Sequence, residues 1–423
     1  MNNGESSRKL HAWLTLAVCS LLYMVNYMDR VVFSVALEPM KKELGLTDSE
    51  MGIIGTVFLL GIAFFALPAG IIMDRWRRAK AIGLMAIFWS LFTWLTGLGR
   101  SFLTILLPRA MVGIGEAGFS AGGPALISAA FKQEMRSRVM GIFNMFIMLG
   151  IAIGMLAGGK IVTAYGWRTP FFVFAVPGFV LGVIAFFLKD YKTEGGLDRE
   201  GRKIGVMAAL KTLLRIPTLR WLFIGYAMQN VLAFSYLQWT PAFLERTRGL
   251  SSAEAGKVMG LVSFASIFGA LIGGFLADRW QKSNQAGRML MPALTMAVMT
   301  LSWTASVALE FEGAGFITGI LFGVTLMMGL PAMSSVSQDV VPSRLKATSW
   351  AMCVLCMYLF GGGWAPYITG AISDSLGGGA EGLKSALLFA GIGGAIASVL
   401  LFMGSRHYKR DSDLALAGEV KQD

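Results

Sequence analysis

Long apolar runs separated by short polar breaks dominate the chain. A run of about 20 apolar residues is long enough to cross a bilayer as a helix. Twelve such runs are predicted, near 12–36, 50–72, 80–98, 102–130, 139–162, 168–188, 219–243, 254–276, 288–309, 314–338, 347–371 and 384–405. Hydrocarbon leaves no water to satisfy an open sheet edge, so the spans must be helical. The expected fold class is all-α integral membrane, with twelve transmembrane helices. Composition agrees: of 423 residues, 55% are hydrophobic and only 15% charged, against about 25% charged in soluble domains.

Charge then orients the spans. The formal net charge is +12, which invites a nucleic-acid reading. The basic residues, however, fall on alternate connections, in clusters such as Arg75, Arg77, Arg78, Lys80 and Lys132, Arg136, Arg138. The intervening connections hold few, among them Lys41, Lys42, Arg100 and Arg168. This is the positive-inside bias and predicts both termini in the cytoplasm, in a multi-pass protein of the cell (inner) membrane. No compact basic domain outside the bilayer is predicted, so no nucleic-acid partner is expected. The first apolar run is too long for a cleavable signal peptide and has no small-residue cleavage site after it. The one long connection divides the chain. The expected domains are 1–188, a cytoplasmic linker over 189–218, and 219–423 with a short cytoplasmic tail.

The two parts repeat. Gly70-Ile-Ile-Met-Asp74-Arg75-Trp76 recurs as Gly274-Phe-Leu-Ala-Asp278-Arg279-Trp280, and Pro124-Ala125 with Ser128 recurs as Pro331-Ala332 with Ser335. Two parallel six-helix halves are the simplest account. The twelve spans and the doubled G-x-x-x-D-R segment resemble the major facilitator superfamily over nearly the whole chain. That resemblance implies alternating access between two halves. It also implies a cytoplasmic gate formed by Asp74, Arg75, Asp278 and Arg279. Physically, such an Asp suits a helix N-terminus and such an Arg can bridge neighbouring helix ends. The other reading is that these charges only enforce topology.

Four ionisable residues lie deep in the predicted spans, all in the first half: Asp29 and Arg30 in helix one, Arg109 and Glu116 in helix four. A charge at the bilayer centre costs at least about 2.5–3.5 kcal/mol, so an intramembrane cluster calls for a function. Arg109 and Glu116 are seven residues apart, about two turns, and share a helix face. Asn26, Phe33 and one of Asp29 or Arg30 share a face of helix one. A neighbouring cation favours an ionised carboxylate, and an apolar cavity favours the neutral acid. A carboxyl held between those influences can load and release protons, which gives Asp29 and Glu116 as the proton-coupling residues. Alternatively, the charges are buried pairs that join helices one and four.

The helix-four stretch carrying Arg109, Gly113, Gly115 and Glu116, the N-Y-M-D-R of helix one and the W-T-P-A-F-L-E-R after helix seven resemble the Spinster branch. The G-E-A element is also similar to the organic-anion symporter branch. The Spinster resemblance implies a lysophospholipid or sphingolipid-like substrate, proton linkage through Asp29 and Glu116, and Arg30 and Arg109 near the anionic part of the substrate. The antiporter pattern of helix five is not met, because Gly150 to Gly159 lacks its Pro.

Other signals carry less. Gly113-x-Gly115-x-x-Gly118 lies inside an apolar helix, where close helix packing replaces the dinucleotide reading. Cys353-x-x-Cys356 lies within helix eleven and reads as two small buried residues. His11 and His407 sit at the ends of the bundle, so no His-based catalytic or metal cluster is expected and no enzyme activity. In the second half, Asn230 and Gln238 are the candidate substrate contacts, because a buried amide needs a partner. The resulting expectation is a monomeric secondary transporter among membrane lipids, without cofactor, driven by the proton gradient. Its substrate is an anionic or amphipathic molecule such as a lysolipid, or alternatively a small organic anion such as a sugar acid. A receptor or scaffold that moves nothing is the rival of another class.

Overall fold

The computed structural model describes residues 3–189, 206–342 and 345–418. Every regular element among them is helical. In chain order these are α1 (Asn3–Leu44), α2 (Asp48–Arg75), α3 (Arg78–Gly97), α4 (Phe102–Glu116), α5 (Phe119–Ala130), α6 (Gln133–Tyr165), α7 (Thr169–Phe186), α8 (Val206–Arg215), α9 (Pro217–Arg248), α10 (Ser252–Ser283), α11 (Gly287–Ala308), α12 (Ala314–Met328), α13 (Leu330–Asp339), α14 (Lys346–Met357), α15 (Ala365–Ser375) and α16 (Gly379–Leu416). A π-helical turn, Tyr358–Gly362, joins α14 to α15.

Ten described segments are long and apolar enough to cross a membrane. The other two predicted spans explain themselves. The run near 102–130 is parted at Ala117 and Gly118 into α4 and α5, of 15 and 12 residues. The helix α9 has the length, at 32 residues, but carries Gln229, Asn230, Ser235 and Gln238 along its course. The fourth span of the second half is also broken, at Gly329 between α12 and α13. Each break precedes a proline, Pro124 or Pro331, in the paired Pro-Ala segments.

The chain forms two compact units: Met1–Gly196 with Gly249–Gly260, and Leu197–Arg248 with Leu261–Asp423. Within the first, α1 packs on α6 and α7, α3 on α7, and α2 on α4. Gly150 sets the α1–α6 approach, because a Cβ there would strike the Met24 carbonyl. The core of this unit gathers Tyr23 stacked on Phe143, with ring centroids 4.5 Å apart, and Trp89 edge-on to Phe119. One end of the unit is tied by Glu43, which accepts from Trp167 Nε1 at 2.8 Å and Arg168 Nη1 at 2.6 Å. At α2 the chain turns through Gly45 at φ +65°. Thr47 and Glu50 then cap the helix reciprocally, satisfying two donors that a helix start leaves orphaned.

In the second unit α16 packs on α9 and α11, and α11 on α12. Trp303 anchors the core against Tyr236 and Phe322. Buried Asp411 of α16 accepts from the Thr218 main-chain N at 3.0 Å and from its hydroxyl at 2.8 Å. It thereby caps α9 from another helix, where the dipole favours an anion. Of the predicted linker, 190–205 lie outside the described residues, and Val206–Arg215 is a helix with Lys211 and Arg215 among apolar positions. Cys353 and Cys356 are both buried, unbridged thiols.

Candidate functional site

The four embedded charges meet in the first unit. Arg30 of α1 donates from Nε to Glu116 Oε2 at 2.8 Å. Asp29, its neighbour on the chain, is engaged elsewhere: Thr93 of α3 donates its hydroxyl to Asp29 Oδ2 at 3.3 Å. Successive helical residues point about 100° apart, so the adjacent charges serve different partners. Arg109 of α4 donates to the main-chain oxygen of Asp29, at 3.3 Å, and not to a carboxylate. Asn26, one turn before Arg30, is buried in the same cluster, and neither polar atom of its side chain has a hydrogen-bond partner among the described residues. All of Asn26, Asp29, Arg109 and Glu116 are buried.

Aromatic rings cover the guanidinium groups. The Arg109 guanidinium lies 4.6 Å from the Phe58 ring and 4.9 Å from Phe33. The Arg30 guanidinium lies 4.6 Å from Tyr27 and 5.8 Å from Phe58. A ring face offers a cation an electrostatic contact without a counter-ion. Phe58 of α2 therefore sits between both arginines. Gly113 brings it there, since a Cβ at Gly113 would collide with the Phe58 carbonyl. The helix-four glycines act in close packing, and Gly115 likewise abuts Trp89.

The cluster is not saturated. Asp29 Oδ1, Glu116 Oε1 and Arg109 Nε are buried and lack a hydrogen-bond partner among the described residues. Buried polar atoms are nearly always paired, so these three orphans on charged groups, with both polar atoms of the Asn26 side chain, mark a place that accepts a further polar group.

Among the described residues, the second unit shows no comparable cluster of buried carboxylates and guanidinium groups. Asn230 donates to the Tyr226 main-chain oxygen of its own helix at 2.8 Å. Gln229 Nε2 reaches the Leu326 oxygen at 3.3 Å. Ser235 and Thr369 share a hydrogen bond of 2.8 Å. Gln238 is buried beside them in α9. Of the expected gate residues, the side chains of Asp74 and Arg75 lie outside the described residues. Asp278 accepts from Arg288 Nε at 3.1 Å and Nη2 at 2.8 Å. Arg288 Nη1 continues to Asp339 Oδ2 at 3.0 Å, which also accepts from the Tyr408 hydroxyl at 2.7 Å. Arg279 is exposed and outside that chain of contacts.

Sequence reasoning missed Thr93, Phe58, Tyr27 and the Arg288–Asp339–Tyr408 chain. For Phe58 there was no signal, since one more phenylalanine in an apolar run is unremarkable. For Arg288 there was one: a basic residue opening the helix after the second motif copy, ten residues past Asp278.

Residues 19–366 match the family model described as the Major Facilitator Superfamily. An "MFS-type efflux pump" of Mycolicibacterium smegmatis is 28% identical, covering 95% of this chain and 94% of that protein. "Protein spinster homolog 1" of Xenopus tropicalis is 25% identical over 86% of this chain and 74% of its own length. A "Probable L-galactonate transporter" of Escherichia coli is 26% identical over 94% and 91%. Among solved structures, a bacterial homologue of the human lysosomal transporter Spinster, inward-facing and unoccupied, superposes with a TM-score of 0.83. It covers 95% of this chain and 98% of its own, at 23% identity. With its all-helical fold and its intramembrane charge cluster, the chain is a multi-pass membrane transporter of the major facilitator superfamily, similar to both Spinster proteins and sugar-acid transporters.

Proposed function

We propose that this transporter is proton-coupled, works by alternating access and moves an anionic or amphipathic organic substrate of the lysophospholipid or sphingolipid-like class. The observation that carries the reading is the Arg30–Glu116 ion pair, with its carboxylate fully buried, beside Asp29, with an orphan oxygen on each carboxylate. Glu116 is held by a cation, whereas Asp29 has only a hydroxyl donor and the orphan Oδ1. Unequal environments divide the labour between two carboxyls. Asp29 is the proton carrier. Glu116 is the switch that holds or releases Arg30. When a proton or a substrate anion displaces that pairing, Arg30 becomes a contact for the substrate's anionic group, with Arg109 behind it. The proton gradient is the driving force and no cofactor is needed. Asn26, Asn230 and Gln238 are further candidate substrate contacts. Asp74, Arg75, Asp278 and Arg279 belong to the cytoplasmic gate, and both termini are cytoplasmic.

The test is flux in proteoliposomes under an imposed pH gradient, with lysolipids and organic acids as substrates. Wild-type flux must follow the gradient; flux indifferent to it sinks proton coupling. A second reading, proton symport of a small sugar acid, is favoured by the galactonate relative and by a hexuronate transporter of Bacillus subtilis, 26% identical over 75% of this chain. Selective gradient-driven uptake of a hexonate, with no lysolipid flux, decides for it.

A further inference from the structure

Asp278 and Arg279 are neighbours in the repeated motif, yet only Asp278 is engaged by Arg288. Arg279 lines an open groove of about 550 Å³ bordered by α10, α11 and α12, all within the second unit. That is the size of a small-molecule site, roughly 300–1,000 Å³. The body of the groove is apolar, with Met291 and Met328 at its base and Leu276, Leu294 and Leu321 along its open side. Its two interior hydroxyls face their own helices. Thr295 donates to the Pro292 oxygen at 3.0 Å and Thr325 to the Leu321 oxygen at 2.9 Å. Both hydroxyl protons are thus engaged within the protein. Charge enters at one end only, where Arg279, Ser283 and the Trp280 indole close α10. No described residue pairs with Arg279.

We propose that this groove holds one acyl chain of an anionic membrane phospholipid, with its headgroup on the Arg279 guanidinium. A groove with an apolar body and a cation at one end complements an amphiphile with an anionic end. A juxtamembrane arginine attracts such headgroups, and tryptophan favours the headgroup level. A free anion would leave the apolar length unused, and a zwitterionic lipid would forgo the arginine. The seven helical steps from Met291 to Val298 run about 10 Å along the groove, and the bound chain lies along the helices there. The site is separate from the Asp29–Glu116 cluster, and a lipid here is a resident, not the cargo.

The experiment is native mass spectrometry of the full-length protein in detergent, offered phosphatidylglycerol or phosphatidylcholine. Wild type retains one phosphatidylglycerol in preference to phosphatidylcholine. Arg279→Gln lowers that retention roughly fivefold, the contribution of one basic residue near an anionic headgroup. Lys282→Gln, an exposed neighbour outside the groove, leaves it unchanged. Leu294→Trp fills the groove and lowers retention of both lipids. Equal retention of the two lipids by wild type overturns the proposal, as does undiminished retention by Arg279→Gln. Displacement of the lipid by an equal concentration of glycerol phosphate also overturns it, because the site would then be a bare anion site.

Discussion

The two halves of this transporter share a motif and a broken fourth span, yet they bury different kinds of polar group. The first unit gathers two carboxylates and two guanidinium groups and leaves three of their atoms unpaired. The second buries amides and hydroxyls instead: Asn230 donates to Tyr226 and Gln229 to Leu326, and its unpaired buried atoms, Gln229 Oε1, the Tyr236 hydroxyl, Thr240 Oγ1 and Ser349 Oγ, belong to neutral groups. A polar group satisfied by its own scaffold is nearly neutral, whereas an ionised group with spare bonding capacity is costly and stays reactive. The difference teaches that the buried ionisable groups are concentrated in one repeat, while the other buries neutral polar groups.

Mutations can break this contrast. The largest effect is expected from Asp29→Asn combined with Glu116→Gln. Gradient-driven flux should fall to the level of protein-free liposomes while the protein still expresses and folds. Flux at the wild-type level would make the cluster structural. Next, Arg30→Gln strands Glu116 without its cation. Thermal unfolding in detergent should show a loss of about 3–5 kcal/mol, and adding Glu116→Gln should restore much of it. Failure of the second change to rescue the first would separate the two residues.

Smaller changes sharpen the comparison. Gly113→Ala pushes Phe58 off the arginines and overpacks α2 against α4, at a cost of about 1–3 kcal/mol on the same scale. Arg288→Gln removes the cation shared by Asp278 and Asp339. Because that pair is partly exposed, stability should drop by only about 1 kcal/mol. The smallest effect belongs to the second unit: Asn230→Ala loses one bond to its own helix and should cost about 1 kcal/mol or less. A loss as large as that of Arg30→Gln would erase the asymmetry between the halves.

Hydrophobic run length alone determined that this chain is a helical membrane protein, because hydrocarbon tolerates no other backbone. Sequence also located the repeat and the four unusual charges, since ionisable residues in an apolar span are conspicuous wherever they point. It singled out Asp29 and Glu116, which the fold brings into one cluster through Arg30 and Arg109. The partnerships were decided only by tertiary structure. Arg30 chose Glu116, 86 residues away, over the Asp29 beside it. Arg109 chose two aromatic rings and a main-chain oxygen over any carboxylate. Arg288, not the motif's own Arg279, took Asp278. Each outcome depends on the rotation of one helix against another. Packing sets that rotation, at contacts such as Gly113 on Phe58 and Gly150 on Met24. Helical periodicity gives a side chain's direction within its own helix, and only the packed neighbours determine what stands in that direction.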